Sequence, residues 1–566
     1  MRLRVLFSFL ALLVLAACGD NRPAMVSTAN EHASKAALAM LDRGGSAVDA
    51  AIAAQLVLSL VEPQSSGIGG GAFMLYRDAG DGEMVAYDGR EMAPQAAGGD
   101  LFLKPDGEPM GFMEAVIGGR SVGVPGVVAM LWTAHQEHGR LDWADLFRPA
   151  IGLAHEGFAV SPRLHEMIAR DKWLRREPAT RDYFFVADPA SPDGLAPLPV
   201  GHVLKNPAYA RTLETIAEQG PEGFYEGEVA GAIVQAVTSH PNRGLMTLGD
   251  LKGYEARARD PLCRPYRAYE VCGMPPPTSG GLTTLMILGM LEPFELSAMR
   301  PGSRMAVHLV SEASALAFAD RAVYMADADF VPVPVGGLLD RGYLRSRARL
   351  IDPLRATGKA KAGTPPGLRE ARANGSDLTR PGTSHLSIVD GEGNAVSMTT
   401  SVEGPFGSHL MAGGFILNNQ LTDFSFVPER DGTPVANRVE GGKRPRSSMS
   451  PTLVLDGQGD LFAAVGSPGG SRIIGYVTET LIALMDWKLD MQAAIDLPRF
   501  VDRNGPVELE AGTPLDALKG PLEAMGHEVT VRPLTSGLHG VRETAAGLDG
   551  GADPRREGVV LTTRED

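Results

Sequence analysis

A layered α/β fold is what the sequence predicts, on three observations. Apolar runs of helical length alternate with short runs of strand length. The 68 glycines fall between those runs, where tight turns and close backbone approaches belong, and not in low-complexity tracts. With 566 residues, 44% hydrophobic and 21% charged, the chain can bury a large core. The usual ~150 residues per domain would give several domains, although large layered folds run past that figure as one unit.

The elements follow in order. Residues 28–42 carry small and apolar residues at helical spacing and stop at Gly44 and Gly45. Residues 47–61 read as a buried helix ending before Pro63. Glycines 67 and 69–71 lead into a strand at 72–76, Asp81-Gly82 turns the chain, and 84–87 returns as a strand. The stretch 125–240 is mainly helical, with loops near 186–200. A turn-rich segment at 275–281 introduces a helix over 282–292, and another helix spans 304–326. Residues 355–382 are rich in Gly, Pro, Lys, Arg and Ser without apolar periodicity, and read as an exposed linker. Strands at 385–389 and 395–402 follow, joined by a turn at 390–394. Two more, at 452–455 and 461–465, precede a helix over 472–486 that opens just after Gly469-Gly470.

The net charge of -15 argues against nucleic acid or an anionic membrane surface as a partner. Arg2 and Arg4, an apolar core at 5–14 and Leu15-Ala16-Ala17-Cys18 have the form of a secretory signal. The last four residues look like a bacterial lipobox, which makes 1–17 a lipoprotein signal peptide and Cys18 the lipidated residue. Gly19, in place of an inner-membrane Asp, favours the outer membrane. The expectation is a bacterial envelope protein, periplasmic and tied to the membrane only through its N-terminal lipid. No later segment is long and apolar enough to span a bilayer. Cys263 and Cys272 remain, and either a local disulfide or two buried thiols suits their spacing.

Several motifs fail on context. Residues 67–72 fit a dinucleotide fingerprint by letter, but the order is helix, glycines, strand, the reverse of what that site needs. Gly119-Arg120-Ser121-Val122-Gly123 fits a nucleophile elbow, yet no strong strand precedes it and Pro125 intervenes before the next helix. No His, Cys or Asp spacing matches a zinc site. The junction at Gly382-Thr383 carries more. Cut there, Thr383 would own a hydroxyl and an α-amine, and an amine of pKa ~8 can take the hydroxyl proton. Gly382 would tolerate strain in the bond to be broken. Gly469 and Gly470 precede an apolar helix, so their N–H groups suit an oxyanion. Arg90 suits a carboxylate, Asp423 and Glu403 an ammonium, and Ser447 and Ser448 a carboxylate again. Taken singly, each of these residues also has an ordinary structural reading.

Together, these segments resemble the gamma-glutamyltransferase family through most of the chain. The resemblance is carried by Pro63-Gln64-Ser65-Ser66 with the glycines after it, by Gly89-Arg90-Glu91-Met92-Ala93-Pro94 and by 275–281. Further on it is carried by Thr383-Ser384-His385-Leu386-Ser387, 417–425, 443–451, 466–471 and Gly551-Ala552-Asp553-Pro554-Arg555-Arg556. It implies an N-terminal-nucleophile hydrolase, an αββα four-layer sandwich needing neither cofactor nor metal. It implies self-cleavage between Gly382 and Thr383 into a large chain, 18–382, and a small chain, 383–566, which stay together as a heterodimer. Thr383 would attack the γ-acyl carbonyl of glutathione or a related gamma-glutamyl compound and pass the glutamyl group to water, an amino acid or a peptide. Gly469 and Gly470 match the oxyanion donors. Arg90, Ser447 and Ser448 match the residues on the glutamyl α-carboxylate, and Gln420 and Asp423 those on its α-amine. Ser401 stands where many members carry Thr beside the nucleophile, and Glu403 where several carry Asn. The segment between Ser425 and Lys443 is shorter than in members with a lid loop, which implies a more open site. Two other readings fit the same residues: an acylase of this fold acting on another amide, as cephalosporin acylases do, and a non-catalytic envelope lipoprotein.

Overall fold

Strand β1 (Met25–Thr28) leads into α1 (Glu31–Leu41), whose first turn is capped by the Asn30 side chain accepting from His32 N–H. Helix α2 (Ala47–Val61) is buried along its whole length. Its capping box pairs Ser46 with Asp49, and the Asp49 carboxylate also accepts from the N–H groups of Arg140 and Leu141. Three N–H···O bonds to one of its oxygens explain how this carboxylate tolerates full burial. Then come β2 (Gly71–Arg77), β3 (Met84–Gly89), β4 (Arg257–Arg259), β5 (Leu262–Tyr266), β6 (Tyr269–Gly273), α3 (Gly280–Leu291) and α4 (Arg304–Tyr324). The computed structural model describes residues 22–368, 370, 372–375 and 382–563. The expected signal peptide 1–17, Cys18 and residue 381 lie outside the described residues.

The second half supplies β7 (Gly382–Val389), β8 (Ala395–Glu403), β9 (Thr452–Leu455), β10 (Leu461–Gly466), α5 (Ile473–Met485), β11 (His539–Thr544), β12 (Gly547–Ala552) and β13 (Val559–Thr562). Two antiparallel sheets result. One has seven strands in the order β13-β1-β7-β8-β2-β3-β4, the other six in the order β12-β11-β10-β9-β6-β5. Both sheets mix strands from before and after residue 382. The junction is therefore not a boundary between folding units.

Strand alternation creates the layers. Along β2, Ala72, Met74 and Tyr76 pack into a core shared with α1 and α2, while Phe73 and Leu75 join a second core shared with β6, β9, β10, α3, α4 and α5. A strand buried on both faces needs cover on both sides, and the order helices, sheet, sheet, helices provides it. This is the αββα sandwich expected.

Two local differences have simple causes. The segment read as loops near 186–200 contains a short hairpin, Phe185–Ala187 with Leu195–Pro197. The polar stretch from 355 onward is not a free linker as far as it is described. It is strapped to the surface by main-chain bonds from Ala356 to Met525, Ala373 to Pro434 and Gly375 to Ala322, and by the Asp320 carboxylate accepting from Gly363 N–H. Apolar periodicity cannot reveal a segment held by its backbone. Cys263 and Cys272 stand directly opposite each other in the β5–β6 hairpin and are bonded.

Candidate active site

Strands β7 and β8 lie side by side in the middle of the seven-stranded sheet, and their two faces differ in chemistry. Leu386, Ile388, Val396 and Met398 face the helical core. His385, Ser387, Ser397 and Thr399 turn the other way and make polar bonds. Ser397 Oγ donates to Val465 O at 3.1 Å and accepts from Thr452 N–H at 3.0 Å, and Ser387 Oγ donates to His539 O at 3.3 Å, all three crossing to the second sheet. His385 bonds Thr399 Oγ1 at 2.8 Å and Ser387 Oγ at 3.0 Å. Burial, with His539 nearby, holds its imidazole well below the ordinary histidine range, so it stays neutral.

Thr383 lies at the end of this polar face, at an irregularity. Gly382 pairs with Glu403 and Ser384 with Thr400, so the register shifts around Thr383. Such bulges re-aim a side chain. Here the Thr383 hydroxyl lies 3.2 Å from Ser401 Oγ and contacts the carbonyl oxygen of Gly382. Ser401 Oγ donates to that same carbonyl at 2.7 Å and accepts from Glu403 N–H at 2.9 Å. Among the described residues no imidazole bonds the Thr383 hydroxyl. The first hydroxyl can therefore attack the carbonyl carbon before it, while the second steadies the oxyanion that forms. Only glycine fits at 382, since a Cβ there would lie 2.6 Å from Glu403 O and 2.7 Å from the Gly404 carbonyl carbon. Arg556 Nη1 donates to Thr383 O at 3.0 Å and so anchors the backbone of this residue.

Thr383, Ser401, Glu403, Gln420, Asp423, Ser447, Ser448 and Gly470 line one small pocket, together with Met449 and Ile473. Gly469 and Gly470 adopt φ values of 139° and 61°, open to glycine and poor for other residues. Among the described residues neither N–H donates to a protein acceptor, which leaves both for an anion in front of α5. Ser447 Oγ accepts from Met449 N–H at 3.1 Å and Ser448 Oγ accepts from Arg321 Nη2 at 2.6 Å, so each hydroxyl keeps its own proton to donate. Asp423 accepts from Gln420 Nε2 at 3.0 Å, and Glu403 accepts from Asn419 Nδ2 at 2.6 Å.

Arg90 sits under the pocket, not in its wall. Its Nη2 donates to Asp423 at 2.5 Å and to Arg446 O at 3.1 Å, and its Nε to Pro445 O at 3.0 Å. Among the described residues its Nη1 has no hydrogen-bond partner, and it lies 3.5 Å from Glu91. Burial pushes the Glu91 carboxyl up to about 8, against the pull of Arg90. Glu91 is thus neutral near pH 7, and the carboxylate that Arg90 pairs with is Asp423.

Sequence reasoning did not single out Arg321, Arg556, Asn419 or Glu91. A signal existed for one of them. Arg321 falls within the helix expected at 304–326, where a buried arginine needs partners. It finds them in Ser448 and, through Nε at 2.8 Å, in Ser279. Arg556 and Asn419 fall inside the motifs 551–556 and 417–425, but their partners, Thr383 O and Glu403, lie elsewhere in the sequence and give no sign of the pairing.

Residues 33–563 match the family model described as Gamma-glutamyltranspeptidase. A glutathione hydrolase proenzyme of Bacillus subtilis (strain 168) is 36% identical over 526 residues, covering 91% of this chain and 87% of that protein. One from Escherichia coli (strain K12) is 36% identical over 546 residues, covering 94% and 90%. Among solved structures, a cephalosporin acylase from Bacillus halodurans superposes with a TM-score of 0.82 at 28% identity, covering 96% of this chain and 97% of that one.

Proposed function

The chain belongs to the gamma-glutamyltranspeptidase family, and on that premise we propose that it is a self-processing gamma-glutamyl hydrolase and transpeptidase with Thr383 as its nucleophile. The observation that carries the reading is the Thr383 hydroxyl lying against the Gly382 carbonyl, with Ser401 donating to that oxygen.

In self-cleavage, Thr383 Oγ1 attacks the Gly382 carbonyl carbon. The C–N bond breaks, the nitrogen leaves as the Thr383 α-amine, and Gly382 is held as an ester. Water hydrolyses the ester, leaving a Gly382 carboxylate and a free threonine hydroxyl. Large and small chains stay together because both contribute strands to both sheets. In turnover, the new α-amine takes the hydroxyl proton as Oγ1 attacks the γ-carbonyl of a donor such as glutathione. The Gly469 and Gly470 N–H groups meet the oxyanion. Ser447 and Ser448 hold the glutamyl α-carboxylate above the buried Arg90, and Gln420, Asp423 and Glu403 hold its α-amine. Holding both ends fixes the γ-carbonyl before the nucleophile. The leaving amine takes the proton, and water, an amino acid or a peptide then attacks the ester. A neighbouring cavity of about 270 Å³ shares Glu403 with the pocket and is walled by Asn419, Phe112, Met113 and Trp173. It is the natural seat for the acceptor or leaving group.

The likeness to a cephalosporin acylase favours a second reading, in which another amide is cut. A non-amino-acid acyl group would not use groups for both a carboxylate and an ammonium. Intact mass and N-terminal sequencing of the purified protein beside Thr383→Ala, followed by assays with glutathione and a cephalosporin amide, test the proposal. Two chains, the smaller starting at Thr383, with glutamate released from glutathione, support it. An uncut wild-type chain, or cleavage of the cephalosporin amide alone, overturns it. For location, the N-terminal signal and Cys18 support export and a lipid anchor in the bacterial envelope, with the outer membrane favoured. Among the described residues no helix is long and apolar enough to cross a membrane.

A further inference from the structure

His308, Glu312 and His527 meet outside the pocket around Thr383. All three are buried, and one ligand atom from each falls within 4.8 Å of the others. No sequence spacing reveals them, because two come from α4 and the third from a loop more than two hundred residues on. His308 and Glu312 are four apart on one helix and so share a face.

The surroundings prepare the ligand atoms. His308 Nε2 donates to the Asp352 carbonyl at 2.8 Å, which places its proton there and leaves the Nδ1 lone pair facing His527 Nε2 at 2.7 Å. A ring N–H anchored on a carbonyl is the usual outer support of a metal-binding histidine. Glu312 is oriented by Thr357, whose N–H lies 3.2 and 3.1 Å from its two oxygens and whose hydroxyl also donates to it. Glu312 is 3% exposed and among the described residues forms no ion pair. Buried carboxylate beside two imidazoles, short of positive charge, suits a cation.

We propose that His308, Glu312 and His527 bind a divalent transition-metal ion, Zn²⁺ by ligand type, with water in the fourth position. Tetrahedral coordination needs the two ring nitrogens roughly 3.3 Å apart, a shift of about half an ångström from where they stand. Two ligands precede the 382–383 junction and one follows it, so the ion clasps the two chains produced by cleavage. A bare His527–His308 hydrogen bond is the competing account.

The mature protein, stripped with a chelator and dialysed into metal-free buffer, is titrated with Co²⁺ and separately with Zn²⁺. The expected result is about one equivalent bound, the visible absorption of four-coordinate Co²⁺, and a higher unfolding temperature with Zn²⁺. His527→Ala removes a ligand. Glu312→Gln keeps an oxygen for Thr357 but loses the charge, so it decides the matter if the histidine variant fails to fold. Each is expected to weaken Co²⁺ binding at least tenfold. No absorption and no thermal shift in the wild type, or Co²⁺ binding unchanged in Glu312→Gln, overturns the site. Since the readout is metal bound and not turnover, this outcome is independent of whether Thr383 is the nucleophile.

Discussion

The two faces of the β7–β8 pair differ sharply although they share one backbone. The face toward α1 and α2 carries Leu386, Ile388, Val396 and Met398, with Ser384 opposite Thr400 at its end. The face toward the second sheet carries Ser387, Ser397, Thr399 and Ser401, bonded to the second sheet's carbonyls, to His385 and, at Ser401, to Gly382. Apolar packing is non-directional and tolerates sliding, whereas a hydroxyl bonded to one carbonyl fixes the register between sheets. The difference teaches that the helical side holds the sheet together while the inter-sheet side places Thr383.

The comparison breaks most severely at Thr383. Thr383→Ala is expected to leave the chain whole on a denaturing gel and lower glutathione hydrolysis by about 10⁴-fold or more, with an unfolding curve close to that of uncut chain. Next come the two faces themselves. Met398→Ala removes fully buried apolar volume and should cost about 2–5 kcal/mol in urea unfolding, with the surviving enzyme's kcat little changed. Ser397→Ala should cost about 1–3 kcal/mol, since Val465 O and Thr452 N–H lose their partner, and should slow self-cleavage as well. Equal effects of the two on cleavage would contradict the division of labour.

A smaller effect is expected at Arg321. Arg321→Ala frees Ser448, so KM for glutathione should rise about tenfold with kcat nearly kept, and Lys at the same position should restore part of it. The smallest effect concerns pH. The folded Glu91 carboxyl is raised from 4.5 to about 8, so the folded state holds a proton that the unfolded state has lost in that interval. Stability from this group therefore falls as pH rises from the ordinary carboxylate range toward about 8. Glu91→Gln should flatten that slope in unfolding measured across pH, and an unchanged slope would mean that Glu91 is charged throughout.

Much of this was legible in the residues. The run at 47–61 is largely apolar and forms a fully buried helix with those bounds, because its few polar residues, Asp49, Gln55 and Ser59, do not make a solvent face. Strands β7 and β8 read correctly because alternation and a turn at 390–394 bracket them. The pocket residues were found as a set through their motifs, eight of them in one wall. Strands β11 to β13 escaped notice, since β12 is largely glycine and β13 is short, and neither has a periodicity of its own. Arg90 was expected to face the substrate directly. It lies beneath Asp423, a placement set by the Pro445 and Arg446 carbonyls on another segment.

By itself, then, the sequence determined the layered class, the buried helices and the residues available for chemistry. Those follow from local periodicity and residue type, which act over a turn or a strand. Tertiary structure decided the rest: the interleaving of both halves in both sheets, the bulge that turns Thr383 onto Gly382, the Arg321 and Arg556 supports, and the His308–Glu312–His527 cluster. Each of these depends on pairing between residues tens to hundreds of positions apart. Such pairs are selected by the closing of sheets and cores, and no local pattern encodes them.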